Sequence, residues 1–235
     1  MYRLGLLACD FVPDELRARF EDYPAMFATA LANTGCDVEW RTYRIYEEQI
    51  PYSADECDGY IASGSRVGVY DDYAWIPMLE AFIRSLVGSG RPLVGLCFGH
   101  QAMAQALGGS AKKSDRGWGI GVHQYRVCAT PDWMEPPMKE FAVPVCHQDQ
   151  VTALPGGARI LASSTHCTNF VIQFNETMLG IQGHPEFEKD YLDVLVDLRR
   201  EVIPVTVYAD AVESLSRPHD NLSIMRWIVN FLGVK

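Results

Sequence analysis

A cysteine placed between two glycines constrains the fold of this chain more than any other feature of its sequence. An apolar run over residues 92–96 leads into the pattern Gly95-x-Cys97-x-Gly99, and apolar residues then recur at helical spacing. This order predicts a strand, a sharp turn and a helix, with Cys97 at the turn, which is the spacing of a nucleophile elbow. Such a turn needs small residues, because a Cβ at either flanking position would collide with the adjacent strand or helix.

The predicted elbow has two consequences for Cys97. The turn pushes its side chain out of the carboxyl edge of the sheet toward solvent, and the thiol comes to lie at a helix N-terminus, where unpaired N–H groups stabilise a thiolate. An ordinary buried cysteine is the alternative for any single cysteine. With both glycines in place, we interpret Cys97 as a nucleophile, and a nucleophile of this kind needs a base.

A base and a carboxylate occur together in Gly183-His184-Pro185-Glu186. Pro185 fixes its own φ and favours an extended conformation at His184, and residues two apart in an extended segment point to the same side. Glu186 can then accept a hydrogen bond from the imidazole and leave the other ring nitrogen free for the nucleophile. An incidental His-Pro-Glu in a surface turn is the alternative, which the presence of the elbow disfavours.

The sequences GLCFGHQ at residues 95–101 and GHPE at residues 183–186 resemble the two motifs of class I glutamine amidotransferases. They occur in the family's order, and the similarity extends over residues 1 to about 200. The resemblance implies that Cys97 is the nucleophile, His184 the general base and acid, and Glu186 the orienting carboxylate. The implied reaction is acyl transfer, in which glutamine loses ammonia, a γ-glutamyl thioester forms and water releases glutamate.

The resemblance also implies residues that support this reaction. The backbone N–H of Phe98 and the backbone around Gly64 are the candidate oxyanion donors, although the segment 63–65 could equally be a plain turn. Gln101 either contacts the substrate or steadies the active-site loop, and His147 either lines the site or caps a strand. We interpret His100 as structural, because the position next to the nucleophile in a helix points elsewhere.

Composition limits the class of protein. A length of 235 residues suits one substantial domain, and a net charge of −10 argues against a nucleic-acid partner and is simply favourable for solubility. Seven cysteines without a Cys-x-x-Cys pair favour a reducing cytoplasm over a disulfide framework. The apolar stretch within residues 1–9 is too short for a signal peptide. No segment reaches transmembrane length, so no membrane partner is expected.

Alternation of strands and helices in the first half predicts the fold class. Strands are expected at residues 4–9, 38–45, 58–62 and 92–96, with a helix over 14–33 and a second helix capped by Asp71 or Asp72. This order predicts a three-layer, flavodoxin-like α/β fold, with a mostly parallel sheet and helices on both faces.

The second half has a different pattern. Short strand-like segments at 122–127, 143–146, 160–162, 170–174 and 178–182 predict mixed or antiparallel strands added to the edge of the sheet. Helices are expected over 187–202 and 221–232, with an irregular segment at 204–218. We expect one domain over residues 1–235, with a C-terminal helical extension at about 203–235.

No metal or other cofactor is expected. His123, His166 and His219 have no convergent spacing, and the adjacent pairs Cys146-His147 and His166-Cys167 would point apart in strands. The glycine-rich residues 117–121 lack the preceding strand and following helix of a nucleotide-binding loop.

Three hypotheses remain open for the function. The chain is the glutaminase component of an amidotransferase, with glutamine as its small-molecule substrate and a possible synthase subunit that accepts ammonia. Alternatively, it is a γ-glutamyl peptidase or hydrolase with the same triad and a different leaving amine. The third hypothesis is a non-catalytic regulatory or interaction module, against which the intact triad argues, because a retained thiolate is a liability without chemistry.

Overall fold

A computed structural model describes residues 1–234, apart from the side chain of Glu15. Over these residues the chain forms a nine-stranded sheet with helices on both faces and a separate two-stranded antiparallel ribbon. The strands are β1 Arg3–Ala8, β2 Glu39–Arg44, β3 Gly59–Ala62, β4 Leu93–Leu96, β5 Ser110–Lys113, β6 Gly119–Val127, β7 Glu140–His147, β8 Asp149–Ala153, β9 Arg159–Ser163, β10 Val171–Asn175 and β11 Met178–Ile181. The helices are α1 Asp14–Phe20, α2 Tyr23–Ala32, α3 Trp75–Leu86, α4 Phe98–Ala106, α5 Lys189–Leu198, α6 Val205–Ser214 and α7 Asn221–Leu232.

Strand order brings the two sequence motifs together. The sheet runs β2-β1-β3-β4-β11-β10-β9-β6-β7, with parallel pairing from β2 to β11 and antiparallel pairing from β11 to β7. Strand β11 lies beside β4, with Gly180 opposite Gly95 and Ile181 opposite Leu96. Because parallel strands end at the same edge of a sheet, the residues that follow β4 and β11 meet there. The predicted three-layer α/β fold with added antiparallel strands is confirmed.

The alternating side chains of β1 form two separate cores. Leu4 and Leu6 contribute to the core that contains Trp227 of α7, and Leu7 contributes to the core on the other face, which contains Leu79 of α3. All three leucines of β1 are fully buried. A strand covered by helices on both faces therefore has an almost continuous apolar sequence.

Two predicted helices differ from those in the structure. The helix expected over 14–33 is broken at Glu21, which has a φ of 64°, and α2 begins after Asp22, whose side chain accepts a hydrogen bond from the amide of Tyr23. Pro24 explains the break, because proline is tolerated in the first turn of a helix and not in its interior. Asp71 does not cap α3: its carboxylate accepts from the amide of Gly68 at 2.8 Å, and α3 begins at Trp75.

The irregular segment expected at 204–218 is also wrong, because it contains helix α6. Pro204 precedes the helix with a φ of −56°, which is compatible with a helix start. Helix α6 packs on β6, where the Ser214 hydroxyl accepts a hydrogen bond from the amide of Val122 at 2.9 Å. The ribbon of β5 and β8 was not predicted, and the division of the chain into a domain and an extension stays a prediction.

All seven cysteines are free thiols. None of the helices within residues 1–234 has the length and apolar character needed to cross a membrane.

Candidate active site

Cys97 lies at the turn between β4 and α4 in a conformation that is rare for any residue with a side chain. Its φ is 49° and its ψ is −101°. Two backbone hydrogen bonds hold the turn: Cys97 N–H donates to the carbonyl of Ile181 at 2.9 Å, and Gly99 N–H donates to that of Ser63 at 3.1 Å. Strained backbone persists only where its surroundings determine it, and such sites are frequently functional.

The two glycines beside Cys97 are required by close backbone contacts. A Cβ on Gly95 would lie 2.5 Å from the carbonyl carbon of Gly99, and a Cβ on Gly99 would lie 2.5 Å from the carbonyl oxygen of Ala62. The expected steric need for glycine at both positions is therefore confirmed. The turn approaches the helix on one side and the neighbouring strand β3 on the other.

His184 and Glu186 follow β11 and form a buried pair. The His184 Nδ1–H donates to Glu186 Oε1 at 2.8 Å, and the two residues are 5% and 3% exposed. A single cavity is lined by His184, Cys97 and Gly64. A Cβ on Gly64 would lie 2.7 Å from His184 Cε1 and 3.6 Å from Cys97 Cβ, so the two motifs meet on either side of this glycine.

Aromatic packing fixes the plane of the imidazole. The ring of Phe187 stacks on that of His184, with centroids 4.1 Å apart and planes 3° apart. Tyr191 packs edge-on against Phe187 at 4.8 Å, and the amide of His184 donates to the carbonyl of Pro144 at 2.8 Å. The imidazole is thus oriented by a hydrogen bond in its plane and by a ring stacked on its face.

Electrostatics favour the protonated form of this imidazole. Burial lowers the pKa of His184, but Glu186 and Cys97, through charge and hydrogen bonding, act more strongly in the opposite direction. Together these effects raise the pKa of His184 from 6.5 to about 10. An imidazolium beside the sulfur is able to donate a proton to a departing group.

The candidate oxyanion donors are beside the sulfur. Phe98 is the first residue of α4, and the first N–H groups of a helix have no acceptor within the helix. Gly64 follows β3 and contacts both catalytic candidates. These positions suit donors to an oxyanion, and that role stays a prediction.

Two grooves meet at Cys97. Both grooves are also bordered by Ser65, Arg66, Cys146 and Arg199. We call one the apolar groove, whose further lining includes His184, Pro13, Leu16, Tyr23, Phe187, Tyr191, Leu195 and Leu198. We call the other the polar groove, whose further lining includes Tyr70, Asp71, Gln101, Lys113, His147, Gln148 and Asp149.

Comparison with known proteins agrees with this geometry. A family model described as "Glutamine amidotransferase class-I" matches residues 20–193. The chain belongs to this family. It is 30% identical to "Gamma-glutamyl peptidase 5" of Arabidopsis thaliana over 185 residues, which are 74% of this chain and 73% of that protein. It is 31% identical to "GMP synthase [glutamine-hydrolyzing]" of Thermomicrobium roseum over 173 residues, which are 70% of this chain and only 30% of that longer protein.

The fold also matches solved structures of the family. A glutamine amidotransferase from Thermotoga maritima has a TM-score of 0.75 to this chain, with 99% of each chain covered and 15% sequence identity. At this level of identity the likeness concerns the fold.

The remaining predicted site residues of this class I amidotransferase lie in or behind the polar groove. Gln101 donates through Nε2 to the carbonyl of Asp149 at 3.0 Å and to Gln182 Oε1 at 3.1 Å, so it braces the start of β8. His147 Nδ1 makes a 3.1 Å hydrogen bond to the same carbonyl, and burial lowers the pKa of His147 to about 3. His100 is fully buried, and its ring lies against Gly180 and Phe174.

Of the three histidines without convergent spacing, His123 and His166 lie close together, and His147 is the third ring of the group. The ring of His166 lies 5.8 Å from that of His123 and 6.1 Å from that of His147, because β6 pairs with β7 and the loop after β9 packs against both. Gly119 lies beneath two of these rings: a Cβ there would be 2.9 Å from His147 Nε2 and 3.0 Å from His166 Nε2. Within the described part of the chain, no group of three or more His, Cys, Asp or Glu side chains has the arrangement of a metal site.

Sequence reasoning missed three residues that border both grooves, Arg66, Cys146 and Arg199. Cys146 precedes His147 in β7, and Arg199 follows α5. The segment Leu198-Arg199-Arg200-Glu201 has the composition of a solvated helix end. No local pattern distinguishes the arginine that turns inward from the one that stays in solvent.

Proposed function

We propose that this protein is a cysteine amidohydrolase that cleaves γ-glutamyl amide bonds through a thioester on Cys97. The observation that carries the proposal is the buried 2.8 Å hydrogen bond from His184 to Glu186, with His184 lining the same groove as Cys97. A nucleophile, a base and a group that orients the base are the three parts of a triad.

In the first step, the Cys97 sulfur attacks the carbonyl carbon of the γ-glutamyl amide. The backbone N–H of Phe98 and the backbone at Gly64 stabilise the oxyanion that develops. The C–N bond then breaks, the departing nitrogen takes a proton from the His184 imidazolium, and a γ-glutamyl thioester and a free amine result.

In the second step, the neutral imidazole of His184 takes a proton from water, and the resulting hydroxide attacks the thioester. The C–S bond breaks, glutamate leaves, and the thiolate and imidazolium are restored. Glu186 holds the imidazole in one tautomer, and Phe187 holds its plane, so that Nε2 faces the sulfur in both steps.

Two leaving groups are compatible with this chemistry. Glutamine would release ammonia, which a synthase subunit could accept. A γ-glutamyl peptide would release an amino acid or a peptide. The relatives named gamma-glutamyl peptidases support the second substrate, with 30% identity over 74% of this chain in one of them. The apolar groove beside His184 supports it as well, because a departing ammonia needs no groove.

A direct assay tests the proposal. Glutamate release is measured with glutamine and with a γ-glutamyl dipeptide, for the wild type and for Cys97→Ala. We expect the dipeptide to be hydrolysed faster and the variant to be inactive on both. Faster release from glutamine would favour the glutaminase component of an amidotransferase. Release from neither substrate above the rate of the variant would contradict the enzyme assignment and favour a non-catalytic module.

A further inference from the structure

Arg199 is a partly buried cation at the border of the two grooves. It lies one residue beyond α5 and lines both grooves together with Cys97. Its Nε is buried and has no hydrogen-bond partner. Within residues 1–234, leaving out the Glu15 side chain, no carboxylate oxygen lies within 4.0 Å of its guanidinium.

Neighbouring arginines differ from Arg199 in this respect. Arg66, which also borders both grooves, donates through Nε to Asp10 at 2.9 Å and through a terminal nitrogen to the carbonyl of Phe11 at 2.8 Å. Arg200 forms an ion pair with Asp197 at 2.7 Å. A buried donor without a partner costs about 1–3 kcal/mol. The buried Nε–H of Arg199 therefore points to a ligand that accepts its hydrogen bond, and the positive charge of the guanidinium favours an anion.

The thiol beside Arg199 does not supply that anion. Burial raises the pKa of Cys146 to about 11, although Arg199 acts in the opposite direction. Burial thus favours the neutral thiol, and the described carboxylates, all more than 4.0 Å away, form no ion pair with the guanidinium.

The position of His184 indicates which part of the substrate reaches Arg199. His184 must hand its proton to the departing nitrogen, and it lines the apolar groove but not the polar groove. The leaving amine therefore lies in the apolar groove. The walls of this groove include Leu195, Leu198 and Tyr191, and Arg199 is the cation at its border that lacks a partner.

We propose that Arg199 binds a carboxylate on the leaving group, so that the preferred substrate is a γ-glutamyl amino acid or peptide with a free carboxylate on the leaving side. This inference rests on the proposed function. The planar guanidinium presents two parallel N–H donors that match the two oxygens of a carboxylate. Glutamine has no carboxylate on its leaving group, so Arg199 discriminates against it.

A matched pair of substrates tests the inference. γ-Glutamylalanine and γ-glutamylethylamide differ only in the carboxylate of the leaving amine. We expect the wild type to prefer γ-glutamylalanine. Arg199→Gln removes a charge-assisted hydrogen bond to that substrate. We expect its kcat/KM to fall by about 10- to 100-fold, mostly through a higher KM. For γ-glutamylethylamide, kcat/KM of the same variant should differ from that of the wild type by less than about 3-fold, since no carboxylate is present.

Two further variants sharpen the test. Arg199→Lys keeps the charge and should recover part of the loss on γ-glutamylalanine. Arg200→Gln is the matched control, because the Arg200 side chain is exposed and forms a surface ion pair. This variant should keep the wild-type kcat/KM on both substrates.

Several outcomes would overturn the inference. These are a wild type without preference for γ-glutamylalanine, an Arg199→Gln variant with wild-type kinetics, or one that is equally impaired on both substrates. The last result would indicate contact with the γ-glutamyl group itself or a structural role. In each of these cases, turnover of γ-glutamylethylamide that disappears in Cys97→Ala leaves the proposed function intact. A wild type that hydrolyses neither compound would overturn the inference, and one that also leaves glutamine intact would overturn both proposals.

Discussion

The proposed nucleophile and the proposed base of the candidate site are held in different ways. Cys97 is positioned by backbone: a turn with positive φ, hydrogen bonds from main-chain amides, and glycines where a Cβ would strike the main chain. His184 is positioned by side chains, with the Glu186 carboxylate at one ring nitrogen and the Phe187 ring stacked on its face. The position of Cys97 is thus set by main chain, whereas the protonation and orientation of His184 depend on two replaceable side chains.

Because of this difference, we expect substitutions around Cys97 and around His184 to affect different properties of the protein. Substitutions that disturb the main chain of the turn should alter folding and activity together, because the turn is part of the path of the chain. Changes on the side-chain-held side should alter rate and pH dependence while the fold stays intact. The following predictions test this contrast, in order of decreasing expected effect.

Cys97→Ala should give the largest loss of activity. Removal of a triad nucleophile typically lowers kcat by about 10⁴-fold or more, which is about 5.4 kcal/mol of barrier. Folding should be unaffected, since the substitution leaves the glycines and backbone hydrogen bonds in place. Glutamate release and thermal melting measure the two effects. Cys128→Ala, at an exposed thiol, is the control, and activity above a few per cent in Cys97→Ala would count against the role assigned to it.

Glu186→Gln should lower kcat by about 10²-fold, or about 2.7 kcal/mol of barrier, at the low end of general acid–base effects. The loss should be smaller than that of His184→Ala, because the carboxylate orients the base and transfers no proton.

The pH profile of Glu186→Gln gives a second readout. In the wild type the pKa of His184 is raised to about 10, so the proton needed by the leaving amine is present at neutral pH and lost only as the pH rises toward that value. Without the charge of Glu186 the pKa falls, and the alkaline decline of activity should begin at lower pH. Glu188→Gln, which is exposed, should keep the wild-type profile. An unshifted decline in Glu186→Gln would contradict the electrostatic role.

Gly95→Ala tests the backbone-held side. The added Cβ would lie 2.5 Å from the carbonyl carbon of Gly99, and main chain cannot move away cheaply. Overpacking of this kind lowers the free energy of unfolding by about 1–3 kcal/mol, which chemical denaturation measures, and activity should fall with it. Gly156→Ala is the matched control, because nothing lies within 4 Å of a Cβ there. Equal stability of the two variants would refute the steric account of the elbow.

Phe187→Leu should have the smallest effect. Loss of an aromatic stacking partner corresponds to about 0.5–1.5 kcal/mol, or a fall in kcat of about 2- to 10-fold. Phe20→Leu is the control variant, since the Phe20 ring packs on Tyr191, with ring centroids 5.3 Å apart, and makes no stack on His184. If both variants lowered kcat equally, the stacking on His184 would have no specific role.

The elbow could be predicted from the sequence because its geometry depends on residues within a few positions of Cys97. The same holds for the pairing of His184 with Glu186, which are two residues apart. The helix at 204–218 was missed for the opposite reason. Its formation depends on packing against β6, which is far away in the sequence.

The amino-acid sequence by itself determined the α/β fold class and both motifs, since periodicity, glycine placement and the effect of proline act locally. Tertiary structure alone decided that β11 lies beside β4, that three histidines converge, and that Arg199 turns inward while Arg200 stays in solvent. These features depend on contacts between residues far apart in the chain. Such contacts leave no pattern in the sequence at either position.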